Sequence, residues 1–220
     1  MAIDNYGIDD IKHLETREAI RTRIQMYLGS DDIEGTYQAL KEIINNSTDE
    51  ALAGYGDKIE ITVNMNDNSI TVRDYGRGVP FGVRENGENV LVSIYTKSHT
   101  GGKFDSGAYK NSSGLNGIGG SCVCLSSESF RVVSYRDKKC AKAMFHKGEL
   151  VQYQEGPALK EPNGTEVYFI PDPEVFSNGE IGFSYERICQ DVKDIAYLYN
   201  GITFVVRGQI DDIVEEKTFC

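Results

Sequence analysis

The sequence predicts an α/β fold of the α+β kind, a two-layer sandwich whose mixed, mostly antiparallel sheet is covered on one face by helices. Three observations point there. Residues 58–74, "KIEITVNMNDNSITVRD", alternate apolar and polar around a central turn, the pattern of a half-buried β-hairpin. Helix-period apolar spacing stands at 35–52 and again at 188–199. The second half carries several strand patterns without the regular strand–helix alternation that builds a parallel sheet.

Taken in order, residues from about 8 to 27 read as mostly helical and end at "LGSDD", where Gly29 and Ser30 break the pattern. A second helix runs over about 35–52. In the hairpin, Ile59, Ile61, Val63 and Met65 share one face, "NDN" turns the chain, and Ile70 and Val72 resume. A Gly-, Ser-, Asn- and Lys-rich stretch at 76–120 contains one short helix at about 90–96. Strands follow at "FRVVSY", "CAKAMF", "ELVQYQ" and "TEVYFIP". Ile188, Val192, Ile195, Ala196 and Tyr199 then mark a late helix, and "GITFVV" reads as a buried strand. No repeat or long linker divides the chain, so residues 1–220 read as one domain with an N-terminal arm over about 1–16.

Composition narrows the function. With 40% hydrophobic and 26% charged residues the chain falls among folded domains. It has no bilayer-length apolar run, and its first residues lack a signal peptide's layout, so a cytoplasmic location with no membrane partner is expected. A net charge of −11 repels phosphate backbones and makes this segment a poor main grip on nucleic acid. The five cysteines include Cys122 and Cys124, one residue apart, which is neither a zinc knuckle nor a thioredoxin-like spacing; reduced, mostly buried thiols are expected.

The 23 glycines make phosphate chemistry worth testing. A P-loop is absent, since Lys97 stands where its first glycine belongs, and neither "GRGVPF" nor "GIGGSC" completes the dinucleotide fingerprint. Three other stretches suggest a different design. In "KEIINNSTDEALAG" (41–54), Asn45, Asn46, Ser47 and Thr48 are mediocre helix formers placed mid-helix. Glu42, Asn46 and Glu50 stand one turn apart on one face, with Asp49 beside them. An Asn carbonyl suits Mg²⁺ beside phosphates, and a Glu one turn earlier could take a proton from an attacking water; a plain solvated face explains the spacing equally well. In "RDYGRGVP" (73–80), Asp74 at a strand end could accept an adenine amine's hydrogen bond while Gly78 leaves room for the base, although Asp and Gly are ordinary turn residues. In "SHTGGKFDSGAYKNSSGLNGIGG" (98–120), glycines could turn N–H groups toward an anion before a helix at "GSCVCLSS"; a flexible linker is the alternative, and the interrupting Phe104, Tyr109, Leu115 and Ile118 favour a closing lid.

Together these stretches resemble the ATPase domain of the bacterial DNA gyrase B protein and its topoisomerase IV counterpart. That group also includes the heat-shock ninety chaperone, MutL and sensor histidine kinases. "EIINNSTDEALAG" resembles the family's E-x-x-D-N-S-x-D-E-A-x-A-G helix, "RDYGRGVP" its R-D-N-G-R-G-I-P, and "HTGGKF…GLNGIG" its H-A-G-G-K-F…G-L-H-G-V-G. "NGTEVYFIPDPEVF" resembles its G-T-x-V-x-F-x-P-D-x-x-x-F, so the match runs in order over about 17–176. The resemblance implies a Bergerat-type ATP-binding fold, ATP and Mg²⁺ as ligands, and a type II topoisomerase dimerisation gate. Its implied partners are a second copy of the chain, a gyrase A- or topoisomerase IV A-like protein, and DNA bound through other domains.

By matching position, Glu42 is the implied general base and Asn46 the magnesium ligand. Asp74 binds the adenine amine with Thr165 in support. Asp49, Glu50, Arg77, Gly78 and Pro80 line the nucleotide pocket. Lys103, Tyr109 and the backbone of Leu115, Asn116, Gly117, Ile118 and Gly119 close over the phosphates. Aminocoumarin-type inhibitors are expected near Asp74, Arg77, Pro80 and Arg136, and Tyr6 belongs to an arm that reaches into a second copy. Departures from the family pattern stand at Ile24 and Gln25 (Pro-Gly), Asn45 (Asp), Tyr75 (Asn) and Asn116 (His). The chain ends at "EEKTFC", before the family's transducer domain, and is expected to be an excised ATP-binding fragment that binds ATP, turns it over slowly and stays monomeric. A non-hydrolysing, ATP-driven clamp is the alternative function. A sensor kinase would need a phosphoacceptor-histidine helix, for which His13, His99 and His146 lie in poor contexts.

Overall fold

The structure is a computed structural model that describes residues 16–97, 118–179 and 181–220. The expected hairpin forms from β1 (Lys58–Asn64) and β2 (Ser69–Asp74), antiparallel and in register from Ile59↔Asp74 to Asn64↔Ser69. The later strands are β3 (Ser127–Arg136), β4 (Lys139–His146), β5 (Glu149–Pro157), β6 (Gly164–Pro171), β7 (Thr203–Ile210) and β8 (Ile213–Phe219). All eight join one sheet in the order β5-β4-β3-β6-β2-β1-β7-β8. Every pairing is antiparallel except β1 with β7, which is parallel and is reached through a crossover containing helix α6 (Tyr185–Leu198).

Register makes one face of this sheet apolar. Ile61 stands beside Val72 and Val206, Val72 beside Val167, and Val167 beside Val132, all of them buried. Phe130, Phe145 and Phe169 extend the same layer, with Phe130 and Phe145 ring centroids 6.0 Å apart at an edge-on angle. Helices α1 (Thr16–Thr22), α2 (Gln25–Leu28), α3 (Ile33–Leu52), α4 (Val90–Thr96), α5 (Gly119–Leu125) and α6 supply the other half of the core through residues such as Ile20, Leu28, Leu40, Ile44, Leu91, Val123 and Ile188. Each buried aliphatic or aromatic side chain of this kind is worth about 2 kcal/mol in apolar burial.

Several expectations are sharpened. The helical reading of 8–27 becomes two short helices; α1 stops at Thr22 and α2 starts at Gln25, with Ile24 buried against the core, while residues before 16 lie outside the described part. The break survives without Pro-Gly. Arg21 fastens this segment, its Nη2 lying 2.6 Å from the buried Asp172 carboxylate just past β6. The second helix starts two residues earlier than expected because Asp32 caps it, accepting from the Glu34 N–H at 2.9 Å. Strand β8 was not anticipated: "IVEEKTF" has no alternation, being an edge strand exposed over Ile213 to Thr218. All five cysteines are free, with Cys122, Cys124 and Cys189 buried, as expected of reduced thiols. No described helix is long and apolar enough to cross a membrane.

The opposite face of the sheet is polar and held by charge. Glu60 accepts from the Tyr75 hydroxyl, from Arg207 at 3.0 Å and from Lys58 at 2.9 Å, and Arg207 also reaches Glu216 at 2.6 Å. Burial raises the Glu60 carboxyl, but the hydrogen bonds from Tyr75, Lys58 and Arg207 outweigh it and hold the group at about 2, below the ordinary 4.5. A depressed folded value means stability that is complete above the unfolded pKa and lost as pH falls through the folded one. Glu60→Gln is therefore expected to be less stable than wild type in urea unfolding near neutral pH, with the gap closing between pH 4.5 and about 2 as the wild-type carboxylate is protonated.

Candidate active site

The helix-covered face ends in a carboxylate. Asp74 is the last residue of β2, on the same side as Ile70 and Val72, and is only 6% exposed. Its Oδ1 accepts from the Gly76 N–H at 2.9 Å and the Thr165 N–H at 3.1 Å, while the Ser47 hydroxyl stands 3.4 Å from Oδ2. Burial pushes the Asp74 carboxyl up; the two backbone N–H groups and the Arg73 charge pull it down, and Glu50 adds to the rise. One oxygen is thus saturated by backbone, and the other has a single long contact among the described residues.

Helix α3 explains its own awkward centre. The Thr48 hydroxyl bonds back to the Ile44 carbonyl at 2.9 Å and the Ser47 hydroxyl turns toward Asp74, so two members of the polar run have specific partners, and Asp49 beside them is buried at 3% exposure. Asn46 is exposed on the same helix, one turn after Glu42. Nothing in the structure assigns Asn45 a role. Glu50 pairs with Arg77 through Nε at 3.0 Å and Nη2 at 2.7 Å, and the Arg77 guanidinium lies 4.0 Å over the Tyr55 ring.

Close approaches bring the pieces together. A Cβ on Gly119 would lie 2.2 Å from Glu42 Oε2, so glycine is what lets the first turn of α5 meet that carboxylate. At Gly120, next along, a Cβ would lie 3.8 Å from Asn46 Nδ2 and 3.3 Å from the Tyr95 ring. Glu42 also accepts from Gln38 Nε2 at 3.2 Å. Gly78, expected to leave room for a base, has a second and stricter duty. It sits at φ +77°, and a Cβ there would lie 2.4 Å from the Tyr135 carbonyl, so its glycine is required by the turn packing on β3. The Thr165 hydroxyl accepts from the Val79 N–H at 3.3 Å, and Ser134 donates to the Val79 carbonyl at 2.6 Å. Arg136 donates to the Gly78 carbonyl at 3.2 Å, and Pro80 is exposed at the outer end of the turn.

The structure therefore gathers Glu42, Asn46, Asp49, Glu50, Asp74, Arg77, Gly78, Pro80, Ile118, Gly119, Arg136 and Thr165 around the junction of α3, α5 and the ends of β2, β3 and β6. Lys103, Tyr109, Leu115, Asn116, Gly117 and Tyr6 lie outside the described residues, as does the expected lid up to residue 117. Residues missed in the sequence are Ser47, Tyr55, Gly76, Ser134 and Gly164. Gly76 and Gly164 carried a signal, a glycine beside a strand-end carboxylate and a glycine opening a strand, whereas Ser134 and Tyr55 meet the site only through the fold.

A sheet with helices on one face, and a backbone-pinned carboxylate where helix and sheet part, defines an α/β sandwich with a polar site at the edge of its core. Comparison with known proteins agrees: residues 31–174 match the model of the histidine kinase-, DNA gyrase B- and HSP90-like ATPases, and the chain belongs to that family. It is 40% identical over 204 residues to the DNA topoisomerase 4 B protein of Streptococcus pneumoniae, covering 91% of this chain and 31% of that protein. It is 38% identical to the DNA gyrase B protein of Synechocystis, covering 100% of this chain and 20% of that one. The crystal structure of the 43K ATPase domain of Thermus thermophilus gyrase B in complex with an aminocoumarin superposes with a TM-score of 0.78 at 33% identity, over 94% of this chain and 51% of the other. The chain thus spans about a third or less of the length of these two curated relatives.

Glycine geometry yields a direct test. Gly78→Ala combines a left-handed backbone with a collision against the Tyr135 carbonyl and is expected to cost about 3 kcal/mol in urea unfolding. Gly87→Ala, at φ +82° with open space around it, is expected to cost about 1 kcal/mol.

Proposed function

We propose that this chain is the Mg·ATP-binding and hydrolysing domain of a type II DNA topoisomerase of the gyrase B or topoisomerase IV B kind. The observation that carries the reading is the Asp74 carboxylate, buried, pinned through Oδ1 by two backbone N–H groups and left with Oδ2 to accept from a ligand. An adenine amine is a donor of the right kind, whereas a base with a carbonyl at that position would face the carboxylate's negative charge. Arg77, held flat by Glu50 and Tyr55, and Pro80 form the rim at which the base and a competing inhibitor would sit.

Glu42, steadied by Gln38 and set against the start of α5, is the group placed to take a proton from a water attacking the terminal phosphate. No group of three or more His, Cys, Asp or Glu side chains among the described residues could cage a metal. An exposed Asn46 one turn after Glu42 fits Mg²⁺ carried mainly by phosphates and water, with the Asn46 carbonyl as its protein ligand. When bound, the ion would neutralise phosphate charge. In the full-length protein, nucleotide binding would draw two copies into a gate that, with a gyrase A-like partner, passes one DNA duplex through another. Location in the cytoplasm follows from that role.

Calorimetric titration of a Mg·ATP analogue tests the reading. Wild type is expected to bind one equivalent, and Asp74→Ala to lose roughly ten- to a hundredfold in affinity, the worth of a hydrogen bond to a charged group. Undiminished binding by the variant would reject the base assignment. Because burial holds the Asp74 carboxyl above its ordinary 3.8, the affinity is expected to begin falling at a less acidic pH than an exposed aspartate would dictate. Glu42→Ala is expected to keep ATP binding and lose hydrolysis; retained hydrolysis would remove Glu42 as the base, and a wild type that binds without turnover would favour a non-hydrolysing clamp.

A further inference from the structure

Strand β2 ends in two neighbours of opposite charge on opposite faces of the sheet. Asp74 faces the helices and Arg73 the polar side, yet Arg73 is only 9% exposed. Its guanidinium lies over two rings, 5.0 Å from the Tyr75 centroid and 4.5 Å from that of Tyr135. Nη2 donates to the Pro162 carbonyl at 2.9 Å, while Nη1 is buried and finds no hydrogen-bond partner among the described residues. Other charges on this face are engaged elsewhere. Glu166, opposite Arg73 in register, pairs with Arg131 at 3.2 Å, and Glu60 is held by Tyr75, Lys58 and Arg207.

What Arg73 grips is the segment that serves Asp74. Gly164, two residues after Pro162, sits so tightly that a Cβ would lie 2.8 Å from Arg73 Nη1 and 2.1 Å from the Asp74 carbonyl. The next residue, Thr165, sends its N–H to Asp74 Oδ1 and receives the Val79 N–H on its hydroxyl. A cation on one face of the sheet thus fastens the same short segment that orients the carboxylate on the other. Burying a guanidinium with one nitrogen unpartnered is costly, and an apolar side chain could fill the space between two tyrosine rings without that cost.

We infer that Arg73 is a positioning residue for base recognition: from the far face of the sheet it clamps residues 162–165 to the end of β2, and so holds the Thr165 N–H that aims the Asp74 carboxylate at the base. The inference rests on the proposed reading of Asp74 as the acceptor of an adenine amine.

The test compares two ligands on three proteins. Non-hydrolysable analogues of ATP and of inosine triphosphate, which carries a carbonyl in place of the amine, are titrated into wild type, Arg73→Met and Arg73→Lys. Wild type is expected to prefer the adenine nucleotide. Arg73→Met, which keeps an unbranched stem, is expected to lose about tenfold of that preference, nearly all of it from the adenine side, with inosine binding changed less than about twofold. Arg73→Lys, which keeps the charge and one directed donor, is expected to recover part of the preference, and its own shortfall against wild type gives the same comparison if the Met variant does not fold. A parallel loss of both ligands, or no change in their ratio, would overturn the positioning role while leaving Asp74 as the base acceptor. A wild type indifferent to the two bases would overturn the Asp74 reading, and this inference with it.

Discussion

Everything at the site depends on keeping one carboxylate, that of Asp74, at the edge of a hydrophobic core. An aspartate at 6% exposure would tend to protonate or to drag water in after it. Here three chain segments meet it: the turn after β2 through Gly76, the start of β6 through Thr165, and the middle of α3 through Ser47. Each of those segments is constrained in turn. Gly164 is pressed against the Asp74 carbonyl, Gly78 against the Tyr135 carbonyl, and Ser47 occupies a helix position where propensity alone would favour alanine. The hydrogen bonds that hold the carboxylate thereby hold the turn, the strand and the helix in mutual register.

The two faces of the sheet divide the work. The helix side is apolar and buried, and its layer of Val72, Val132, Val167 and Val206 forms the floor from which Asp74 projects. The other side is charged and, among the described residues, held by its own tyrosines and arginines, with Glu60 as its hub. At the other end of the candidate site, Gly119 leaves the space in which the Glu42 carboxylate meets the start of α5. The base recognition proposed for Asp74 and the water activation proposed for Glu42 thus stand on the same helix-covered side, both served by α3.

Much of this was legible before any coordinate. The hairpin over 58–74 follows from periodicity, because β1 commits one face to the core, and the strand β7 follows from its continuous apolar run, being buried at Phe204, Val205 and Val206. The candidate site segments on α3 and in the turn after β2 stand out in the sequence too, since a polar run in mid-helix and a carboxylate before two glycines are both costly without a purpose, although the sequence assigns no role to Ser47 or Gly76 within them. Strand β8 was hidden because an edge strand exposed on both faces has no apolar period to read. Ser134, Tyr55 and the clamp made by Arg73 were hidden for another reason. Their partners lie 55, 22 and 89 residues away in sequence, and only the strand order brings them together.

The most direct measurement is a crystal structure of the protein with a Mg·ATP analogue. The adenine amine is expected at about 2.9 Å from Asp74 Oδ2, with Oδ1 still bound to the Gly76 and Thr165 N–H groups, and the terminal phosphate on the Glu42 side. A base seated away from Asp74, or a carboxylate turned so that Oδ1 has left its two backbone donors, would contradict that expectation.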